Sequence, residues 1–220
     1  MKEDVLEQVV DDYLQFLGYL TTHNLSFKPS KDHPDYKSKL DSVTSDIDVV
    51  DYNPNLDGNE RVVVVSCKAW QSGFNAPVIL SQLRGGAKNP GRPRMLQFRE
   101  LWIPKWAEAF VGEIQKLTGT DKFTYMLAVT RLKGDPTGWE TDETIQRKLR
   151  GNPFRFLALE TMWSHALEEV TTTPVASEIG RLAQILKAAG LTAPAPIAPP
   201  TAPEPCSGAA QGKGTSPDVG

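Results

Sequence analysis

The sequence predicts an α/β domain with a mixed central sheet flanked by helices, closed by helices at its C-terminal end. Three observations lead there. Apolar residues at helical spacing alternate along the chain with short β-branched runs, so helices and strands must share one core. The run Val62–Val65 within "RVVVVSCK" is apolar on both faces, which suits a strand covered on both sides. The segment before it, "NPNLDGNE", consists of turn formers and follows another strand-like run, so the two runs make an antiparallel hairpin.

In chain order, residues 2–17 form an amphipathic helix. Leu6, Val9, Val10, Tyr13 and Leu17 fall on one face, Glu3, Asp4, Asp11 and Asp12 fall mostly elsewhere, and Gly18 stops it. "NLSFKP" (24–29) is a short strand closed by Pro29, followed by a polar loop. "VTSDIDVVDY" (43–52) is a strand with Ile47 and Val49 on one face and Asp46 and Asp48 on the other. After the hairpin comes a loop punctuated by Gly and Pro, then a helix from about Met95 to Leu117 that Pro104 interrupts or starts. "KFTYMLAVTR" (122–131) is a buried strand, and "TDETIQRKL" (141–149) is a short helix with Thr141 as its cap. "FRFLALE" (154–160) is a further strand, and helices over 161–171 and 175–189 finish the domain before Gly190.

The chain has 220 residues, which fits one domain with a sizeable core. Residues 191–220 hold Pro194, Pro196, Pro199, Pro200, Pro203, Pro205 and Pro217 among Ala, Gly and Ser. Such a composition buries too little apolar surface to offset its ordering entropy, so residues 1–190 are read as the domain and 191–220 as a disordered tail. The net charge of -3 speaks against binding nucleic acid through overall charge, though not against a local basic patch. The two cysteines, Cys67 on a strand and Cys206 in the tail, are not placed to staple a core, which fits a reducing cytoplasm. The acidic N-terminus is unlike a signal peptide, and no run approaches the roughly 20 apolar residues of a membrane span. His23, His33 and His165 show no metal-ligand spacing.

The residues that carry chemistry lie on the hairpin. Asp48 is on the polar face of the first strand. Ser66 and Lys68, two apart, share one face of the second. Pairing the strands brings Asp48 near Lys68 at one sheet end. A hard divalent cation takes carboxylate, carbonyl and water oxygens, and a lysine beside metal-bound water can orient or deprotonate it while offsetting phosphate charge. The arrangement therefore suits metal-assisted phosphodiester hydrolysis. The bland alternative is a cross-strand salt bridge with Lys68 reaching to solvent.

The pattern resembles the PD-(D/E)xK nuclease superfamily, and within it the Mrr-type restriction endonucleases. The matching features are an opening helix with Glu7 that ends in the pair Gly18–Tyr19, then "DIDVV" with Asp48, then the apolar strand "VVVVSCK". The resemblance spans roughly residues 3–131 and implies a restriction endonuclease-like sheet and an endonuclease dependent on Mg²⁺ or Mn²⁺. Asp48, Lys68, the Ser66 position and Glu7 would be its catalytic residues. Ser66 departs from the pattern, which has Glu or Asp there and often Gln in Mrr-type relatives. A serine hydroxyl is a weak neutral ligand. Asp48, the Cys67 carbonyl, Asp46 and Glu7 remain as candidate metal ligands.

Between the second hairpin strand and the next helix, "RGGAKNPGRPRMLQFR" (84–99) holds Arg84, Lys88, Arg92, Arg94 and Arg99 and no acid. Basic side chains and exposed amides on such a loop suit a phosphate backbone, and Trp70 is placed to stack on a base or to cover the sheet edge. Two function classes follow. One is a metal-dependent DNA endonuclease, acting in phage defence or DNA processing. The other is a nuclease-fold module without catalysis that binds nucleic acid or a protein partner, a second copy included. No membrane partner is expected.

Overall fold

A computed structural model describes residues 4–85, 94–173, 175 and 177–191, with the side chain of Arg94 left out. In chain order the elements are α1 (Val5–Phe16), β1 (Leu20–Phe27), α2 (Ser38–Asp41), β2 (Ser45–Tyr52), β3 (Val62–Lys68), β4 (Phe74–Asn75), α3 (Ala76–Arg84), α4 (Arg99–Trp102), α5 (Pro104–Thr118), β5 (Thr124–Val129), β6 (Leu132–Lys133), α6 (Thr137–Glu140), α7 (Glu143–Lys148), β7 (Phe154–Ala158), α8 (Leu159–Glu169) and α9 (Glu178–Ala188). Single 3-10 turns cover Gly58–Glu60 and Arg94–Leu96.

Five strands make a mixed sheet in the order β1-β2-β3-β5-β7. The first three are antiparallel, and β3, β5 and β7 run parallel. β3 is central, and its valines divide between two cores as a strand covered on both faces requires. Val63 and Val65 pack with Leu6, Val9, Val10 and Leu14 of α1. Val62 and Val64 pack on the opposite face, with Leu80 and Leu83 of α3, Leu101 of α4, and Trp106 and Phe110 of α5. The expected mixed sheet between helices is therefore present. Among the described residues no helix is long and apolar enough to cross a membrane.

Several local expectations are corrected. β1 begins at Leu20, four residues before the expected strand, because Leu20–His23, mostly polar, pair along β2 and need no apolar alternation at a sheet edge. Segment 76–84, read as loop, is a helix with Asn75 as N-cap and Pro77 in its first turn, where a missing N–H costs nothing. The cap of α7 is Asp142, whose carboxylate accepts the Thr144 and Ile145 amides, and not Thr141. Pro104 starts α5, and α4 before it is a separate turn. Asp12, placed on the polar face of α1, is buried and accepts the Ser177 hydroxyl at 2.6 Å. Leu17, placed on the apolar face, is the helix's C-terminal cap and is exposed. The tail beyond residue 191 lies outside the described residues.

The expected facing of β2 holds only in part. Val49 packs under α1, whereas Ile47 joins the α5 core. β1 changes face at the same step: His23 approaches Asp11 of α1, but Leu25 packs against the α5 core. Asn24, between them, has φ +54°, a left-handed conformation that asparagine tolerates. The twist leaves Asp48 at the end of the β2–β3 ladder, whose last pair is Val49 with Val65.

Candidate active site

Beyond that last pair, the Asp48 side chain continues the contact that the backbone ladder gives up. The Cys67 amide donates to Asp48 Oδ2 at 2.6 Å, and the Ser66 hydroxyl stands 3.5 Å from the same oxygen. Ser66 and Lys68 follow Val62 and Val64 on the face toward α4. Lys68 Nζ donates to Ser66 Oγ at 2.9 Å and to the Cys67 carbonyl at 3.3 Å, and it lies 5.7 Å from the centre of the Phe98 ring. Among the described residues Lys68 makes no direct ion pair. The simple cross-strand salt bridge is therefore absent, and serine is the group that fixes the lysine.

These side chains line a cavity of about 290 Å³ at the end of the sheet, with Asp46, Gln97, Arg99 and Glu100 around them. Glu100 comes from α4 and is only 7% exposed. The Tyr125 hydroxyl, from β5, donates to Glu100 Oε1 at 2.8 Å. Tyr125 lies beside Val64 in the parallel β3–β5 ladder, on the face that carries Ser66. Sequence reasoning missed Glu100. The available signal was its position as the lone acid within "MLQFRELWI" (95–103), a turn otherwise apolar, basic or amide.

Burial dominates the electrostatics. It raises the Asp48 carboxyl above its ordinary value, against the pull of Lys68, the Cys67 amide and Ser66. Burial likewise raises Glu100, against the opposing charge of Lys68. Glu7, on α1, is raised by burial and then by the neighbouring charge of Asp48. Glu7 approaches from the α1 side and does not line the cavity that holds Asp48 and Lys68. Asp46 is exposed at the rim and accepts the Ser26 hydroxyl at 2.6 Å. Burial, then the charges of Asp48 and Glu7, push the Cys67 thiol far up, so it is a poor nucleophile whose backbone does the work at this position.

The described residues among those assigned to nucleic-acid contact are dispersed. Arg84 ends α3 and grips Asp142 through Nε at 2.9 Å and Nη2 at 2.7 Å. Arg99 lies over the Trp106 ring, 4.4 Å from its centre, and also borders the cavity. Trp70 stacks on Phe74 with ring centres 5.4 Å apart, as a cover on the sheet end. Lys88 and Arg92 lie outside the described residues, and Arg94 is described only as backbone in a 3-10 turn. His165 packs edge-on against Tyr13, and His33 stands 3.5 Å from Glu108, both remote from the cavity.

Among the described residues no group of three His, Cys, Asp or Glu side chains is gathered as a metal cage. In comparisons with family models, with curated proteins and with solved structures, nothing matches this chain. The geometry of the cavity thus stands alone as the basis for a functional reading.

Proposed function

We propose that this chain is a metal-dependent endonuclease of the restriction endonuclease-like, PD-(D/E)xK type, hydrolysing DNA phosphodiester bonds. The observation that carries the reading is the convergence of Asp48, Ser66 and Lys68 on one polar cavity at the end of adjacent strands. The donors fit a hard cation such as Mg²⁺ or Mn²⁺ in kind, being carboxylate and backbone carbonyl oxygens, with water and phosphate oxygens left to complete the shell. Asp48 and the Cys67 carbonyl would hold it. Such an ion, when bound, acidifies a water and offsets charge on the phosphoryl oxygens.

The protein's own groups have distinct tasks. The Cys67 amide fixes Asp48 through Oδ2 and leaves Oδ1 outside that bond. Ser66 holds the Lys68 ammonium by a hydrogen bond that brings no counter-charge of its own. Lys68 orients the attacking water and attracts the phosphate. Arg99, which borders the cavity, and the basic residues Lys88, Arg92 and Arg94 before it in the chain would meet the DNA backbone. Incubation with supercoiled and single-stranded DNA tests this. Wild type cleaves with Mg²⁺ or Mn²⁺ and not with chelator, while Asp48→Ala and Lys68→Ala do not cleave. Equal cleavage by these variants would overturn the assignment.

A second reading is a non-catalytic module for nucleic acid or a protein partner. It is favoured by the neutral Ser66, which stands beside Asp48 and Lys68 where a carboxylate would be expected. It predicts DNA binding that survives Asp48→Ala without any metal-dependent cleavage.

A further inference from the structure

Glu100 is a buried carboxylate without an ion pair among the described residues. Burying such a group is costly unless something compensates it. Among the described residues its side-chain hydrogen bond comes from Tyr125, and the cavity it borders also holds Asp48 and Lys68. The placement is mechanical in origin. Pro104 begins α5 directly after α4, and buried Leu101 anchors the α4 turn against the core, so the neighbouring Glu100 is held at the sheet end. Ser66 is short, and Tyr125, on the same face of the sheet, donates its hydroxyl to Glu100. A carboxylate delivered from the helix side therefore borders the space into which a longer acidic side chain at position 66 would project.

We infer that Glu100 is the second carboxylate of the cation site, supplying from α4 what Ser66 lacks on β3, with Tyr125 as its positioning residue. The inference rests on the hydrolytic reading above and makes Asp48, Glu100 and the Cys67 carbonyl the protein ligands. Two carboxylates and one carbonyl agree with the absence of a three-side-chain cage among the described residues. Asp46 and Glu7 are then not needed as ligands: Asp46 is taken by Ser26, and Glu7 lies outside the cavity.

The test is Mn²⁺ titration of the full chain by calorimetry and by electron paramagnetic resonance, without DNA, alongside plasmid cleavage. Glu100→Gln keeps the acceptor for Tyr125 and removes the charge, so a folded variant loses most Mn²⁺ affinity and all cleavage. Ser66→Glu in the Glu100→Gln background restores both. Tyr125→Phe weakens Mn²⁺ binding about 10- to 100-fold and moves its pH midpoint upward, because a donor to the ionised carboxylate is gone. Glu100→Asp, which keeps the charge, retains part of the affinity and serves where Glu100→Gln fails to fold. Wild-type affinity and cleavage in Glu100→Gln would overturn this inference alone. No Mn²⁺ binding and no cleavage by wild type would overturn it together with the hydrolytic reading.

Discussion

Asp51→Asn is expected to remove a large pH dependence of stability. Asp51 lies on β2 facing α1 and is fully buried. Its Oδ1 accepts the Thr21 hydroxyl at 2.6 Å, and its Oδ2 has no partner among the described residues. Burial, helped by the charge of Asp11 and opposed by Thr21, pushes the carboxyl up to about 7. In the unfolded chain an aspartate ionises near ~3.9. Between roughly pH 4 and 7 the folded state thus keeps a proton that the unfolded state releases. The stabilising contribution is complete below pH ~4, falls as pH rises at about 1.4 kcal/mol per pH unit, and is lost above about 7. The whole window amounts to about 4 kcal/mol. Asparagine keeps the acceptor for Thr21 and cannot ionise. Urea unfolding of both proteins from about pH 4 to 8 reads the effect. The Asp51→Asn variant gains on wild type by about 4 kcal/mol across that range. The other carboxyls raised by burial, Glu7, Asp12, Asp48 and Glu100, drift in the same direction in both proteins and cancel in the difference. A difference independent of pH would refute the reasoning.

Further outcomes are expected elsewhere. Asp41 is buried, and burial opposes its ionisation, but bonds from Lys105, the Lys37 amide and Trp106 Nε1 outweigh this and hold its carboxyl below the ordinary range. Asp41→Ala leaves Lys105 without its counter-charge, holding only the Asp35 carbonyl among the described residues, and strands the indole N–H, so urea unfolding should show a loss of about 3 kcal/mol. Gly180→Ala sets a Cβ 2.5 Å from Val175 Cγ1 and 2.8 Å from Ser177 Oγ, which should lower stability by about 1–3 kcal/mol and loosen α9 from α1, read as a lower melting temperature. Lys68→Met should abolish cleavage yet keep Mn²⁺ binding, a split that calorimetry and plasmid nicking resolve together. Neutralising Arg92 and Arg94 should reduce the slope of log affinity for DNA against log salt by about 2, measured by anisotropy.

The hairpin and its strand-end lysine were legible because turn residues and β-branched runs are local signals. "NPNLDGNE" and "VVVV" reveal their structure without knowledge of anything distant, and the opening helix follows from its own periodicity. α3 was passed over because its start follows a Gly-containing turn; Asn75 as cap and Pro77 in the first turn were the local signals, and burial of Ile79, Leu80 and Leu83 adds the packing. The face change at Asn24 and Asp48 was equally hidden, since strict alternation is the only rule a sequence offers for a strand. Glu100 was the largest omission at the site. An acid on a helix reads as solvated until tertiary packing places it against Tyr125, which is 25 residues away in sequence. Glu7, whose approach to Asp48 followed from helix geometry, comes within electrostatic reach of it but from the other side of the sheet.

The most direct test of the central claim is the anomalous map of a crystal of the full chain soaked in Mn²⁺. The account predicts one peak in the cavity, about 2.1 Å from an oxygen of Asp48, one of Glu100 and the Cys67 carbonyl, with Lys68 Nζ facing the bound water. A cavity without a peak, or a peak bound by neither Asp48 nor Glu100, would contradict it.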